Sequence, residues 1–593
     1  MSFNQYYQSE LNALRQLGGV FAERNPALAH FLGQGGSDPD VERLLEGFAF
    51  LTGRLREKLD DDLPELTHSL MYLLWPNYMR PLPSFSMLQF EALAQAGPTV
   101  IAARGTDVKS EPVEGEICSF RTCYATEVQA LNLAALSYSE KGEGALLTLR
   151  LEIPGDGHLG DLKLRRLRLH FAGDRYISQT LYLSLLRHLE KVEVHLLGAG
   201  TEHVNTLRRS DRFLTLPSNC LQPVGFAEDE SLIPYPLNTF RGYRYLQEYF
   251  AFQEKFLFVD ISGLDALQSF SEDILKGAKG IELHFSISKN GMERQRPTVD
   301  NVKLYCTPIV NLFKHDASPI RLEGKEDEYL LLPHQEGRGH CGVFSVDGVG
   351  GNEMGGTFKS FVPFESFEHD SSFDDGNHAP HYSVRQRPSH AHEGVDTYLS
   401  FGNQNIERFS TVSVDLTCTN QNLPRRLKVG DISSSKETQE ALTFRNILVP
   451  TSSYAPPLNR DFLWKLISNM SLNYVSLANV NALKVILETY DLPRYYDQKA
   501  RNVSKTLLDG LKSISHQHVD RLHRGLPVRG LRTELLIDPR SYVGEGDLFL
   551  FASVLNEFFA LYASLNSYHE LHVQSTQGEV YQWAPRMGLQ PLL

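Results

Sequence analysis

Cysteine is scarce in this 593-residue chain, which has six, at positions 118, 123, 220, 306, 341 and 418. Only Cys118 and Cys123 lie close together, and no second pair is present to complete a tetrahedral zinc site or a disulfide framework. Long apolar runs are also missing. Nothing reaches the roughly eighteen consecutive apolar residues that a spanning helix needs. No charged, apolar, small-residue leader precedes Tyr6, so export by a cleaved signal is not expected. Together these absences predict a cytoplasmic protein with reduced thiols. Basic excess is lacking too: 58 Lys plus Arg against 72 Asp plus Glu leave a net charge of −14. Polyanion binding needs clustered cations, so a nucleic-acid partner is disfavoured. The absence of a basic amphipathic helix argues against a membrane-surface adaptor. Local basic runs exist at Lys163-Leu164-Arg165-Arg166-Leu167-Arg168 and Arg425-Arg426-Leu427-Lys428. Alternation in the first reads as a strand with a basic solvent face.

Chemical motifs are thin. The glycine cluster Gly348-Val349-Gly350-Gly351-Asn352-Glu353-Met354-Gly355-Gly356 ends in no Gly-Lys-Ser/Thr and does not lead into a helical stripe, so it is neither a P-loop nor a dinucleotide fingerprint. It reads as part of an exposed, mobile excursion over about 334–395. That excursion holds His369, His378, His381, His390 and His392, the best metal candidates, since imidazoles bind zinc or copper when three or four converge. Their spacing matches no ligand pattern, and Arg385 and Arg387 would oppose a cation. A metal-dependent hydrolase built on this loop is the alternative function; a solvated loop, with no metal or cofactor, is the favoured reading. Asp60-Asp61-Asp62 points in different directions on a helix and reads as a stop signal. No Gly-x-Ser-x-Gly elbow or His-Glu-x-x-His helix occurs, and no catalytic residue is assigned.

What the chain does have is apolar periodicity. Phe3, Tyr7, Leu11, Leu14, Leu17 and Phe21 recur at helical steps. After the acidic caps and proline of Ser37-Asp38-Pro39-Asp40, a second stripe carries Val41, Leu44, Phe48, Leu51, Leu55 and Leu59. Pro64 opens a third helix with Leu66, Leu70, Leu73 and Leu74. Either these helices cover one another, or the stripe is buried against another chain. From about Pro81 the period becomes two, with strands expected at 85–91, 146–153, 164–171, 192–197, 256–261, 281–287, 302–305, 397–401 and 411–417 and a helix at 181–189. Helices return with Asp461 ahead of Leu463, Ile467, Met470 and Tyr474, then Val480 to Tyr490, then Asp547 to Leu565; strands are expected at 531–537 and 580–583. The expected fold is α+β and multidomain. Its parts are an N-terminal helical unit at 1–80, β-rich modules at 81–215 and 216–345, a loop-rich excursion with strands at 346–440, and a C-terminal α/β domain at 441–593.

The wording of several stretches adds to this. Phe3-Asn4-Gln5-Tyr6-Tyr7-Gln8-Ser9-Glu10-Leu11, Gly36 to Thr52 and Lys58-Leu59-Asp60-Asp61 resemble the opening of the TssF family, also called VasA or ImpG. The resemblance continues through Leu221-Gln222-Pro223-Val224-Gly225-Phe226-Ala227, Phe240-Arg241-Gly242-Tyr243-Arg244, Gln247 to Phe252, Leu416 to Asn420 and Leu561 to Ser567, and so covers nearly the whole chain. A histidine often stands in the family where this chain has Asn469. The resemblance implies a non-catalytic wedge component of the type VI secretion baseplate, at the cytoplasmic side of an inner-membrane complex. It implies as partners a second TssF copy, TssG, TssE, TssK bound through TssG, and the spike protein VgrG. Apolar stripes suit such an assembly, and Leu44, Phe48, Leu51 and Leu55 are the candidate seam.

Overall fold

The computed structural model describes residues 7, 11, 14, 39–61, 71–73, 75–92, 99–198, 213–236, 240–292, 294–322, 326–334, 340–353, 357–364, 380–389, 394–402, 409–434, 442–458, 479–523 and 525–588. Two compact units are distinguished. The first reaches Met79 and takes in a short segment from Leu458; the second holds Arg80–Pro457 and the chain from Ser468.

In the first unit the helix Pro39–Asp61 starts on a proline, whose fixed φ suits a first turn. It ends inside the run Asp60-Asp61-Asp62, where carboxylates meet the negative end of the helix dipole. Met71, Trp75, Tyr78 and Met79 are buried beyond it. The first and third expected helices, and the one expected from Asp461, fall mostly outside the described residues.

The second unit is dominated by antiparallel sheets. A six-stranded sheet runs in the order Ile432–Ser434, Asp107–Ser110, Ser119–Thr122, Cys306–Val310, Phe85–Ala92, Leu442–Asn446. Phe85 faces Val310 on one side, while Leu88 pairs with Asn446 on the other. Strands from every stretch between 81 and 446 therefore enter one sheet, across the borders expected near 215, 345 and 440. A five-stranded sheet places Ala278–Ile287 between Leu189–Gly198 and Gly144–Glu152. Leu147, Leu149 and Leu151 are buried along it, which the clean alternation of that segment demands.

Two predicted features are corrected. The glycine cluster is not a loop at its start: Gly342–Glu353 is a strand paired along its length with Phe409–Thr419. A Cβ on Gly350 would lie 2.4 Å from the Phe358 ring, so glycine here lets an aromatic lie on the backbone. The surrounding sheets share a core of Val412, Val414, Leu416, Leu399, Phe361 and Phe409. The basic strand Arg166–Phe171 does alternate, with Leu167 and Leu169 buried, but its outer face is not free cation. Arg168 donates to Asp260 at 2.7 and 2.9 Å and to Glu230 at 3.1 Å.

The C-terminal sheet joins Leu511–His523, Leu526–Ile537, Tyr568–Ser575 and Val580–Gln582. Leu526–Ile537 and Tyr568–Ser575 run parallel, which requires a crossover, supplied by the helix Glu545–Ala560. Gly546 to Phe559 are all buried, as expected of a helix apolar all round. It crosses the helix Arg175–Arg187 so closely that a Cβ on Gly546 would sit 2.4 Å from the Gln179 backbone.

Candidate functional site

The seam residues stand on the helix Pro39–Asp61. Leu44 is 73% exposed, Phe48 57% and Leu51 66%, while Ala49 on the same helix is fully buried. Steps of four and three keep the first three on one side, one above another. The Leu55 side chain lies outside the described residues. Phe50, also exposed, has the Arg54 guanidinium 5.9 Å from its ring centroid. Three large apolar side chains standing in water on consecutive turns form a patch that a monomeric surface rarely tolerates. The three side chains themselves carry no nucleophile and no titratable group.

The histidine reading finds less. His381 opens the strand His381–Pro388, with its ring 6.4 Å from that of Phe364. His369, His378, His390 and His392 lie outside the described residues, as does Asn469. Among the described residues no three His, Cys, Asp or Glu side chains are placed to hold a metal ion. All six cysteines are unbridged. No helix among the described residues is long and apolar enough to cross a membrane.

The stretches 221–227 and 240–252, singled out for their wording, prove to be two sides of a buried charge network. Lys255, fully buried, forms a close ion pair with Glu248, itself buried. Lys255 Nζ also donates to the Glu230 carbonyl at 3.0 Å. Glu248 Oε1 accepts the Leu232 amide at 2.8 Å, and Arg244 Nε approaches Glu248 at 3.4 Å. Arg244 in turn donates to the Ala227 carbonyl at 2.6 Å. Glu230 Oε2 accepts the amides of Gly225 and Ala227 at 2.7 and 3.1 Å. Gly225 has φ +103°, and a Cβ there would meet the Lys255 carbonyl at 2.9 Å. Both facts dictate glycine. Burial drags the Lys255 ammonium down to about 8, against the pull of Glu248.

Each charge in this network ends on a backbone group or an opposite charge, so it clamps the 221–233 segment onto the helix Gly242–Ala251. The arrangement fixes angles between elements. Sequence reasoning missed Arg168, Glu230, Glu248, Lys255 and Asp260 as a set. The available signal was charge inside apolar text, in Tyr249-Phe250-Ala251-Phe252-Gln253-Glu254-Lys255-Phe256-Leu257-Phe258. A second polar tie links the C-terminal helix to the body: Asp547 Oδ1 accepts from Arg175 at 3.0 Å and Gln179 at 2.9 Å.

Comparison with known proteins agrees with the resemblance over the full length. The family described as type VI secretion system, TssF, matches residues 1–590. Type VI secretion system component TssF1 of Pseudomonas aeruginosa is 28% identical over 641 aligned positions, covering 99% of each chain. A chain in the cryo-electron microscopy structure of a type VI secretion TssK-TssF-TssG baseplate subcomplex is 29% identical, with a TM-score of 0.77 over 93% of this chain and 99% of that one. A chain of a type VI secretion baseplate complex is 26% identical, with a TM-score of 0.60 over all of both chains. The chain thus belongs to the TssF family of the type VI secretion system.

Proposed function

We propose that this chain is a structural wedge component of a type VI secretion baseplate. In this reading two copies join one TssG, with TssE alongside and TssK bound through TssG. Six such wedges surround the VgrG spike and form the platform on which the contractile tail grows. The assembly works in the cytoplasm, docked at an inner-membrane complex. Family membership supports the reading, as does the origin of both solved relatives in baseplate assemblies.

The observation that carries it is the apolar seam standing in solvent on Pro39–Asp61. Leu44, Phe48, Leu51 and Leu55 follow one another at four, three and four residues, the spacing by which one helix seats on another. Burying each large side chain contributes about 1.5–3 kcal/mol, so the stripe is a fitting anchor for a shared helical bundle. The helical opening, 1–80, would be the associating unit. The β body, with its charge clamp, would be a rigid part of the platform. Firing would then need no reaction by this chain, only a rigid-body change at its interfaces.

The test is co-expression with TssG and TssK. Phe48→Asp together with Leu51→Asp is expected to abolish co-purification while the thermal unfolding of the second unit stays unchanged. Undiminished recovery of the complex by this double variant would sink the seam.

A further inference from the structure

Between the helix Gly242–Ala251 with its following turn Gln253–Phe256, and the helices Pro493–Tyr496 and Gln498–Asp509, lies an open cleft of about 380 Å³. Its rim carries the apolar Phe250, Pro493 and Val503, the last half-exposed, beside the charged Arg175 and Asp497. Its floor is polar and acidic: Tyr249, Glu254, Asp491 and Ser504. Tyr249, Asp491 and Ser504 are all more than nine-tenths buried.

These floor groups are under-satisfied. The hydroxyls of Tyr249 and Ser504 make no hydrogen bond of normal geometry among the described residues, though Ser504 lies beside Asp491 and Tyr249 beside Gln253. Asp491 accepts the Arg494 amide only at a long 3.4 Å. Among the described residues neither Glu254 nor Asp491 has a cation within ion-pair distance. The nearby guanidiniums are engaged elsewhere: Arg175 pairs with Asp547 at 3.0 Å and Arg494 with Glu488 at 3.1 Å. Lys499 stands exposed at the mouth, and the Asp497 carboxylate accepts its amide at 2.7 Å. Burial raises both floor carboxyls, that of Asp491 to about 6, and outweighs the opposing pull of Arg175 on Glu254 and of Arg494 on Asp491.

We propose that this cleft receives an arginine side chain carried by a partner polypeptide. The apolar side chains of the rim hold the aliphatic stem, and the floor carboxylates and hydroxyls take the guanidinium. A guanidinium brings five donors and a delocalised, weakly hydrated charge, which suits a floor of two carboxylates and two unsatisfied hydroxyls better than a compact ammonium does. Arginines seated in desolvated pockets are also the residues that dominate protein interfaces. That the partner is a baseplate subunit rests on the function proposed above; the chemistry of the pocket does not.

The full chain alone is titrated with N-acetylarginine methylamide and, as the uncharged isostere, N-acetylcitrulline methylamide, at matched ionic strength. The arginine probe is expected to raise the unfolding midpoint saturably and the citrulline probe to leave it unchanged. Glu254→Gln with Asp491→Asn should erase the difference. Val503→Arg, which leaves the floor intact but fills it from the rim, should block the response. Equal responses to both probes, or a full arginine response in either variant, would overturn the proposal. In the co-expressed complex, the Glu254→Gln, Asp491→Asn variant should bind its partner about tenfold more weakly or worse. Wild-type affinity there would reject a partner's arginine as the occupant. Because the probe response is read on the chain alone, its loss and the failure of baseplate assembly are separate results.

Discussion

Two helices that both carry several large apolar side chains have opposite fates in this protein. Glu545–Ala560 is surrounded: Leu548, Leu550, Phe551, Val554, Leu555 and Phe558 are all fully buried, and its polar residues Asp547 and Glu557 are matched by Arg175 and Arg586. Pro39–Asp61 buries Ala49 yet leaves Leu44, Phe48 and Leu51 in water. The first is apolar on nearly every side, and each of its buried charges meets an opposite charge. The second is apolar on a stripe flanked by Glu42, Arg43, Glu46 and Arg54. Apolar content alone does not say what a helix is for. The polar residues that accompany it, and whether the same chain supplies their counterparts, do.

The sharpest way to test this contrast is to damage the buried helix. Phe551→Ala should destabilise the second unit by about 3–5 kcal/mol, seen as a lower denaturant midpoint, because a large aromatic leaves a cavity. Removing one side of the charge clamp comes next. Lys255→Met strands Glu248 in the interior and should cost about 3–5 kcal/mol, whereas Lys255→Met with Glu248→Leu should recover much of that loss. A double variant no better than the single one would show that the clamp is not a pair.

Acid should act on the same unit. Burial pushes His170 and His569 down to about 3. Between about 6.5, where the unfolded imidazole titrates, and 3, the unfolded chain takes up protons that the folded chain cannot. Stability is therefore full above pH 6.5 and falls as the pH drops towards 3. At pH 5 the loss is about 2 kcal/mol for each histidine, as an upper bound. His170→Gln should flatten the slope of unfolding free energy between pH 7 and 5; an unchanged slope would remove His170 from the account. The smallest effect on stability is expected where the effect on assembly is largest. Phe48→Asp, at an exposed position, should move the unfolding free energy by no more than about 0.5 kcal/mol. A large destabilisation there would mean that this chain already uses the seam internally.

Much of the fold was legible because burial imposes its period on the text. The strand Gly144–Glu152 and the helix Val480–Tyr490 stand within a few residues of where alternation and the apolar stripe put them. The strand Leu511–His523 was not anticipated. It lies at a sheet edge, and Ser513, Ser515, Gln517, His518 and Asp520 are all exposed, so no alternation is forced on it. The glycines of Gly342–Glu353 misled for a related reason: they read as loop residues, but here glycine makes room for the Phe358 ring against a strand. The charge clamp stayed hidden because its members come from 168, 230, 244, 248, 255 and 260, and nothing local announces that they meet. Of the candidate seam, the sequence stated the stripe but could not say which side faced water.

The placement of Phe85–Ala92 between Cys306–Val310 and Leu442–Asn446 has a consequence for how the protein is made. Both neighbours of this early strand are encoded hundreds of codons later, so its backbone stays half-finished until a ribosome has passed Asn446. At about 5–20 residues per second the wait is on the order of 20–70 s. During that interval Phe85, Met87 and Phe90 are exposed to whatever else is in the cell. Fragments terminated before the 440s should collect in inclusion bodies, and the nascent chain should be a client of holding chaperones until translation has passed that point.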